Sequence, residues 1–290
     1  MKTTARIILS GGAALGLAEI GALQVLSGRF DITGIIGTSM GSIIGGLYAK
    51  GYTPEEMLEM AIRYKKQNIF NPLNLDTSLT GIFDGKVIMK SFEEWTDDCL
   101  IEDCRIPFAA VAFDLCRNNT VVIDKGSLSK AMRASSSVPY LFSPVSWGKY
   151  TFVDGGVEHP LPLALAKDMP GELTIAVNVL PSKLKEPESI DITSEEQDRK
   201  KLRLHEVFLH SIVQNQASLA MHAIVDNSPD IVIDAWYPRG SVFGFDKAET
   251  FYHWGIAKAE QALTQYEQPH YMEKIRTRYK TLVSRLSKGF

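Results

Sequence analysis

A serine between two glycines is the first residue of this sequence that could do chemistry. Residues 37–41 read Gly-Thr-Ser-Met-Gly, with Gly37 and Gly41 two positions before and after Ser39. A β-branched run precedes the motif and a segment rich in small residues follows it, which is the strand–turn–helix context of a nucleophile elbow. A tightly packed turn in which Ser39 only caps the helix explains the same residues. The motif alone does not decide between the two.

A glycine-rich loop lies closer to the N-terminus. Residues 10–16 read Ser-Gly-Gly-Ala-Ala-Leu-Gly, after one predicted strand and before a predicted helix. Backbone N–H groups in such a loop can hold an anion, so beside an activated serine the loop would form an oxyanion hole. Its spacing differs from the dinucleotide-binding fingerprint, and it lacks the lysine of a P-loop. Close packing of the strand against the helix is the alternative explanation.

Asp154 is the carboxylate best placed to assist a nucleophile. Residues 153–156 read Val-Asp-Gly-Gly, so Asp154 ends a predicted strand before a turn formed by Gly155 and Gly156. Ligands bind at this edge of an open α/β sheet. From the residues alone, Asp154 could be a general base, a metal ligand or a turn former.

The six histidines provide no clear base for a serine triad. His205 and His210 are five positions apart, which is about 140° around a helix, so the pair cannot hold a metal on one face. His159 lies near Asp154 in the sequence, and we expect it to be a wall residue.

The predicted elements alternate between strands and helices. We predict strands at 6–9, 34–37, 108–113, 121–123, 151–153, 174–179 and 231–234. We predict helices at 17–26 ending at Gly28, at 40–50 ending at Gly51, and at 54–66 with Thr53 as N-cap. Most strands are continuously apolar, as expected when helices cover both faces of a sheet. This order predicts an α/β fold with a largely parallel sheet.

Two regions differ from this pattern. Residues 67–105 mix aromatic and turn residues, and we expect a cap over a site or an irregular wall. Residues 181–200 are polar and predict an exposed excursion. A long helix follows, with Leu204, Phe208, Ile212 and Leu219 on one face. We expect a single domain over 1–290, with a core at about 5–180 and a helical C-terminal elaboration at about 190–290.

Composition excludes several classes of protein. The 290 residues are 45% hydrophobic and 22% charged with a net charge of −3, which excludes a disordered chain and gives no bulk attraction to nucleic acid. Three cysteines cannot form a disulfide framework. No stretch approaches the roughly 20 apolar residues that a spanning helix needs, and we read the N-terminus as mature protein. We therefore expect a cytoplasmic protein.

Five motifs together resemble the patatin-like phospholipases, over about residues 5–180. They stand in the family's order at residues 9–12, 37–41, 130–136, 139–142 and 153–157. The resemblance implies a three-layer sandwich of helices around a mostly parallel sheet. It also implies a hydrolase of fatty acyl esters, either phospholipids or simpler esters, with possible transient contact to a membrane surface. It implies no cofactor and no metal, and the oligomeric state is not indicated.

The resemblance also assigns roles to residues. Ser39 would be the nucleophile and Asp154 its base, which explains the absence of a placed histidine. The amides of Gly11, Gly12 and Ala13, with that of Met40, would hold the oxyanion.

The chain departs from the family pattern at three positions. Ala13 stands where a third glycine is usual, Leu15 where a basic residue is usual, and Glu19 where histidine is common. Ala13 constrains the backbone if positive φ is needed there. Leu15 and Glu19 favour neutral acyl esters over anionic head groups, provided that their side chains reach substrate. Two alternatives remain: a Ser-His-Asp α/β-hydrolase, and a non-catalytic binding protein that keeps the fold.

Overall fold

The computed structural model describes residues 2–65, 85–182 and 204–287. The strands in this part are β1 Thr4–Leu9, β2 Asp31–Thr38, β3 Phe108–Asp114, β4 Asn119–Ile123, β5 Val145–Trp147, β6 Tyr150–Asp154, β7 Leu173–Asn178 and β8 Ile231–Asp234. The helices are α1 Leu17–Arg29, α2 Met40–Lys50, α3 Pro54–Lys65, α4 Lys86–Thr96, α5 Leu128–Ser135, α6 Leu204–Asn227, α7 Ala248–Tyr266 and α8 Tyr271–Ser287.

These strands form one mixed sheet with a parallel centre. The parallel strands run in the order β3, β2, β1, β7, β8. Antiparallel β4 and β6 both pair with β3, and β5 pairs with β6. Thr38 at the end of β2 pairs with Val111, and Asp154 at the end of β6 pairs with Ala112, so the register places the two strand ends beside neighbouring residues of β3.

Alternate side chains of the sheet enter two separate cores. Ile7 and Ile35 pack on one face with apolar residues of α1, α2 and α7. Ile8 and Ile36 pack on the other face with α6 and Tyr279 of α8. Successive strand residues point to opposite faces, so a sheet buried on both sides must be apolar at every position. The expected three-layer α/β architecture is confirmed.

Most predicted elements are confirmed, with differences at their ends. Helix α1 continues past Gly28 to Arg29, and the extended Phe30 ends it. Thr53 caps α3 as expected: its hydroxyl accepts from the Glu56 N–H, and the Glu56 carboxylate accepts from the Thr53 N–H. The short edge strand β5 was not predicted, because three half-exposed residues carry no periodic signal.

The two irregular regions are only partly described. Within 67–105 the structure shows helix α4, so this part is more regular than we expected. Residues 66–84 lie outside the described residues, as does most of the 181–200 segment. None of the described helices has the length and apolar character needed to cross a membrane.

Helices α1 and α7 pack with their backbones in close contact. A Cβ atom on Gly255 would overlap the carbonyl oxygen of Ala18, and one on Gly21 would overlap that of Tyr252. Glycine at these positions lets the two helices approach, and the contact holds α1 directly behind the glycine-rich loop.

We predict opposite effects for two glycine-to-alanine substitutions in these helices. Gly255→Ala should lower the free energy of unfolding by about 2–3 kcal/mol, because the new methyl group meets backbone that cannot move without separating the helices. Gly28→Ala in α1 meets no atom within 4 Å. It should raise the free energy of unfolding by about 0.5–1 kcal/mol, because alanine favours the helix. Urea denaturation measures both, and equal effects would contradict the close packing.

Candidate functional site

Ser39 occupies a sharp turn between β2 and α2. Its backbone has φ 54° and ψ −121°, a conformation that L-residues rarely adopt. A Cβ on Gly37 would overlap the Gly41 carbonyl, and one on Gly41 would lie 2.6 Å from the Leu9 oxygen, so the turn needs both glycines. The Ser39 side chain makes no capping hydrogen bond to α2. The hydroxyl is therefore not used as a helix cap.

Ser135, at the end of α5, holds this turn in place. Its hydroxyl accepts a hydrogen bond from the Ser39 N–H at 2.9 Å and donates one to the Val111 carbonyl at 2.6 Å. Thr38 also donates from its hydroxyl to the His159 carbonyl at 2.7 Å. No pattern in the sequence predicts this role of Ser135, because a serine in a run of three serines does not show what it contacts.

Asp154 ends β6 and is almost fully buried. Its Oδ1 accepts from the Gly156 N–H at 2.7 Å, within the short turn that begins at Gly155. Burial raises the pKa of Asp154 to about 6, although the Ser39 hydroxyl and the Gly156 N–H act in the opposite direction. The other carboxyl oxygen, Oδ2, is buried and has no hydrogen-bond partner in the described residues. The Ser39 hydroxyl thus faces a carboxyl that still has an open acceptor.

The glycine-rich loop presents backbone N–H groups to the same place. Gly12, Ala13 and Met40 line the pocket that contains Ser39 and Asp154. Within the described residues, no acceptor takes a hydrogen bond from their three N–H groups. Gly11 differs, because its N–H donates to the Pro160 carbonyl at 2.8 Å. The expectation that Gly11 serves an oxyanion is therefore corrected: this amide anchors the loop.

The three departures from the family pattern have different structural consequences. Ala13 has φ 48°, so this position does adopt the left-handed conformation that glycine favours. Leu15 is 4% exposed and packs in the core, outside the lining of the pocket. Glu19 is fully buried, and Ser10 donates to its Oε1 at 3.5 Å. Neither side chain lines the pocket, so these two residues do not support the expected preference for neutral esters.

Burial of Glu19 raises its pKa well above the usual range. The cause is desolvation, which disfavours the charged form, and the hydrogen bonds from Ser10 only partly oppose it. The acid lies beneath the glycine-rich loop, where a neutral carboxyl would add no negative charge next to the free amides.

A cavity of about 170 Å³ opens beside Ser39 and Asp154. Its walls come from α1, α2, α3, α4 and α6 and from the segments at 136–142 and 242–245. Its polar side chains in the described residues are Ser39, Tyr64, Ser136, Asp154 and Gln216. The apolar ones include Leu17, Ile20, Ile43, Leu47, Met57, Met60, Phe92, Trp95, Leu141, Phe142, Leu209, Ile212 and Phe243.

The described part of the chain shows no competing constellation. Among the described residues no histidine lines this cavity, and His159, which we expected to be a wall residue, lies outside the lining. Residues 2–65, 85–182 and 204–287 also contain no group of three His, Cys, Asp or Glu side chains that could hold a metal ion.

Comparison with known proteins shows the family of this chain. The family model "Patatin-like phospholipase" matches residues 7–167. The chain belongs to the patatin-like phospholipase family.

Similar proteins are longer than this chain. It is 34% identical over 174 residues to an uncharacterized NTE family protein of Mycobacterium tuberculosis, covering 60% of this chain and 48% of that protein. It is 31% identical over 184 residues to human patatin-like phospholipase domain-containing protein 6, covering 61% of this chain and 13% of that protein. The solved structure of VipD from Legionella pneumophila aligns with a TM-score of 0.49 at 12% identity, covering 90% of this chain and 67% of that one. The chain thus spans about half the length, or less, of these curated relatives.

We predict that Asp154→Asn stabilises the protein in a pH-dependent way. The folded pKa of about 6 exceeds the ordinary 3.8, so the carboxylate costs folding energy once it is charged. This cost is absent below pH 3.8, grows as the pH rises to 6, and then stays constant at about 3 kcal/mol. Asparagine is neutral and can keep the bond to Gly156. Urea denaturation should therefore show the variant more stable at pH 8 and equal to wild type near pH 4.

The exposed Asp124→Asn is the matched control and should change stability little at either pH. A stability difference for Asp154→Asn that stays the same from pH 4 to 8 would contradict the buried carboxyl.

We predict that Ala13→Gly stabilises the loop. Glycine removes the penalty of a Cβ atom at φ 48°, and this gain exceeds the entropy that glycine adds to the unfolded chain. The free energy of unfolding should rise by about 0.5–1 kcal/mol. Ala14→Gly is the control, since Ala14 is buried without positive φ and should lose stability. A loss in both variants would mean that position 13 is not strained.

Proposed function

We propose that this protein is a lipid acyl hydrolase that cleaves fatty acyl esters through an acyl-enzyme on Ser39. The observation that carries the proposal is the strained Ser39 turn opposite a buried carboxyl with an open oxygen, at one end of an apolar cavity. Membership of the patatin-like phospholipase family supports the same reaction class.

Asp154 acts as the general base in this mechanism. It takes the Ser39 proton as Oγ attacks the acyl carbonyl carbon, and then passes that proton to the oxygen of the leaving alcohol. A water molecule attacks the acyl-enzyme, giving its proton to Asp154, and the fatty acid leaves as Ser39 is reprotonated. A carboxylate is a weak base in water, and the pKa of about 6 brings Asp154 closer to the strength the step needs.

The amides of Gly12, Ala13 and Met40 form the oxyanion hole. Their N–H groups have no other acceptor in the described residues, and Met40 begins a helix whose dipole favours negative charge. Each donor that is aimed at the developing oxyanion typically contributes about 10²–10³ in rate. Gly11 holds the loop and takes no part in binding the oxyanion.

The cavity walls favour an acyl chain. The lining is predominantly aliphatic and aromatic, and in the described residues it contains no lysine or arginine. Phe243 lines the cavity and is 39% exposed, so it would be the first apolar side chain to meet a lipid surface during transient contact. We therefore expect esters with a long acyl chain to be better substrates than acetyl esters.

We predict that a fluorophosphonate probe labels Ser39 with a pH-dependent rate. The rate should rise with pH and level off above about pH 6, because ionised Asp154 is the base. Ser39→Ala should give no adduct, and Asp154→Asn should slow labelling by about 10²–10⁴-fold. Intact mass and peptide mapping identify the labelled residue. In Ser136→Ala the adduct should remain on Ser39, since the Ser136 hydroxyl is bonded to the Met132 carbonyl.

A well-folded wild type without an adduct would overturn the proposal. That outcome would favour the alternative of a non-catalytic protein that binds acyl chains. If Asp154→Asn leaves the labelling rate unchanged, another residue is the base, and the Ser-His-Asp α/β-hydrolase becomes the favoured alternative.

A further inference from the structure

Gln216 of α6 lies next to the candidate base. A Cβ atom built on Gly156 would be 2.5 Å from the Gln216 Nε2 and 2.9 Å from Asp154 Oδ1. The amide and the carboxyl therefore lie on the same side of Gly156. An oxygen atom placed between the Gln216 Nε2 and the Asp154 Oδ1 can bridge these two atoms with ordinary hydrogen bonds of about 2.8 Å each.

Gln216 is a polar group of the lining that lies beside Asp154 and has no assigned task. It is half-buried and lines the cavity, and no described residue hydrogen-bonds its side chain. Ser136 donates to the Met132 carbonyl. The Tyr64 hydroxyl is also buried without a hydrogen bond in the described residues, but it is not among the atoms nearest to a Cβ atom on Gly156. A half-buried amide without a partner loses hydrogen bonds to water, and a substrate atom can replace them.

The proposed reaction places the leaving alcohol on this side. Asp154 must return its proton to the alcohol oxygen, so that oxygen comes close to the carboxyl when the tetrahedral intermediate breaks down. The acyl chain occupies the apolar part of the cavity. The carbon atoms next to the ester oxygen of the alcohol then pass between Asp154 and Gln216.

We propose that Gln216 donates a hydrogen bond to a hydroxyl group next to the scissile ester and so selects esters of hydroxylated alcohols such as glycerol. This inference rests on the proposed function and specifies its substrate class. A neutral amide suits a hydroxyl, and substrates without one leave the amide unpaired, which is an effective way to reject them.

The test compares three decanoyl esters in the same detergent micelles. Monodecanoylglycerol and decanoyl lysophosphatidylcholine both carry the neighbouring hydroxyl, and ethyl decanoate lacks it. The variant is Gln216→Met, which keeps the length of the side chain and removes the hydrogen-bonding amide. Gln214→Met is the matched control, because Gln214 lies on the same helix, is exposed and does not line the cavity.

The expected result is a fall in the ratio of kcat/KM for a hydroxylated ester to that for ethyl decanoate. The ratio should fall about three- to tenfold in Gln216→Met, the effect of one neutral hydrogen bond, and should stay unchanged in Gln214→Met. If wild type cleaves decanoyl lysophosphatidylcholine faster than monodecanoylglycerol, the preferred alcohol is a glycerol that carries a phosphate. The reverse order indicates a glycerol without one.

An unchanged ratio in Gln216→Met would overturn this inference and leave the acyl hydrolase intact. A merely structural role for Gln216 would lower kcat/KM for all three esters by the same factor, which also overturns it. If wild type cleaves none of the esters and takes no fluorophosphonate label, the proposed function fails and the inference fails with it.

Discussion

The backbone of Ser39 is the constraint on which the rest of the site depends. A non-glycine residue at φ 54° and ψ −121° costs about 1–3 kcal/mol and persists only where its surroundings hold it. Here β2 and α2 fix the two ends of the turn, glycines allow the close approach, and Ser135 binds the amide from the far side. Because Ser135 is bonded to β3, the central sheet itself supports the strained residue.

Burial of the Asp154 carboxyl changes both the stability of the protein and the pKa of this group. The apolar cavity that suits an acyl chain also removes water from Asp154, and this desolvation raises its pKa to about 6. In the proposed mechanism, the protein thus gives up stability to hold a stronger base. Glu19 is buried in the same way, but it lies behind the loop and does not line the cavity.

The cavity is assembled from parts of the chain that are distant in sequence. Helices α1 to α4 supply one wall, and residues of α6 supply the wall beside Asp154. The close contact of α1 with α7 sets the position of α1, although α7 does not line the cavity. In the proposed function, residues outside the two site motifs therefore decide what kind of ester can enter.

The sequence by itself predicted most of the strands, the helices α1 to α3 and α6, and Ser39 and Asp154 as the candidate site residues. Continuous apolar runs and glycine spacing predicted the strands, the turn at Ser39 and the position of Asp154 at a strand end, because these signals are local. Only the tertiary structure decided which loop amides are free, that Leu15 and Glu19 point away from the cavity, and that Ser135 and Gln216 face the site. These facts depend on which distant backbone a side chain meets. Gly11 and Gly12 are adjacent and chemically identical, yet of the two only the Gly11 N–H donates a hydrogen bond to the Pro160 carbonyl.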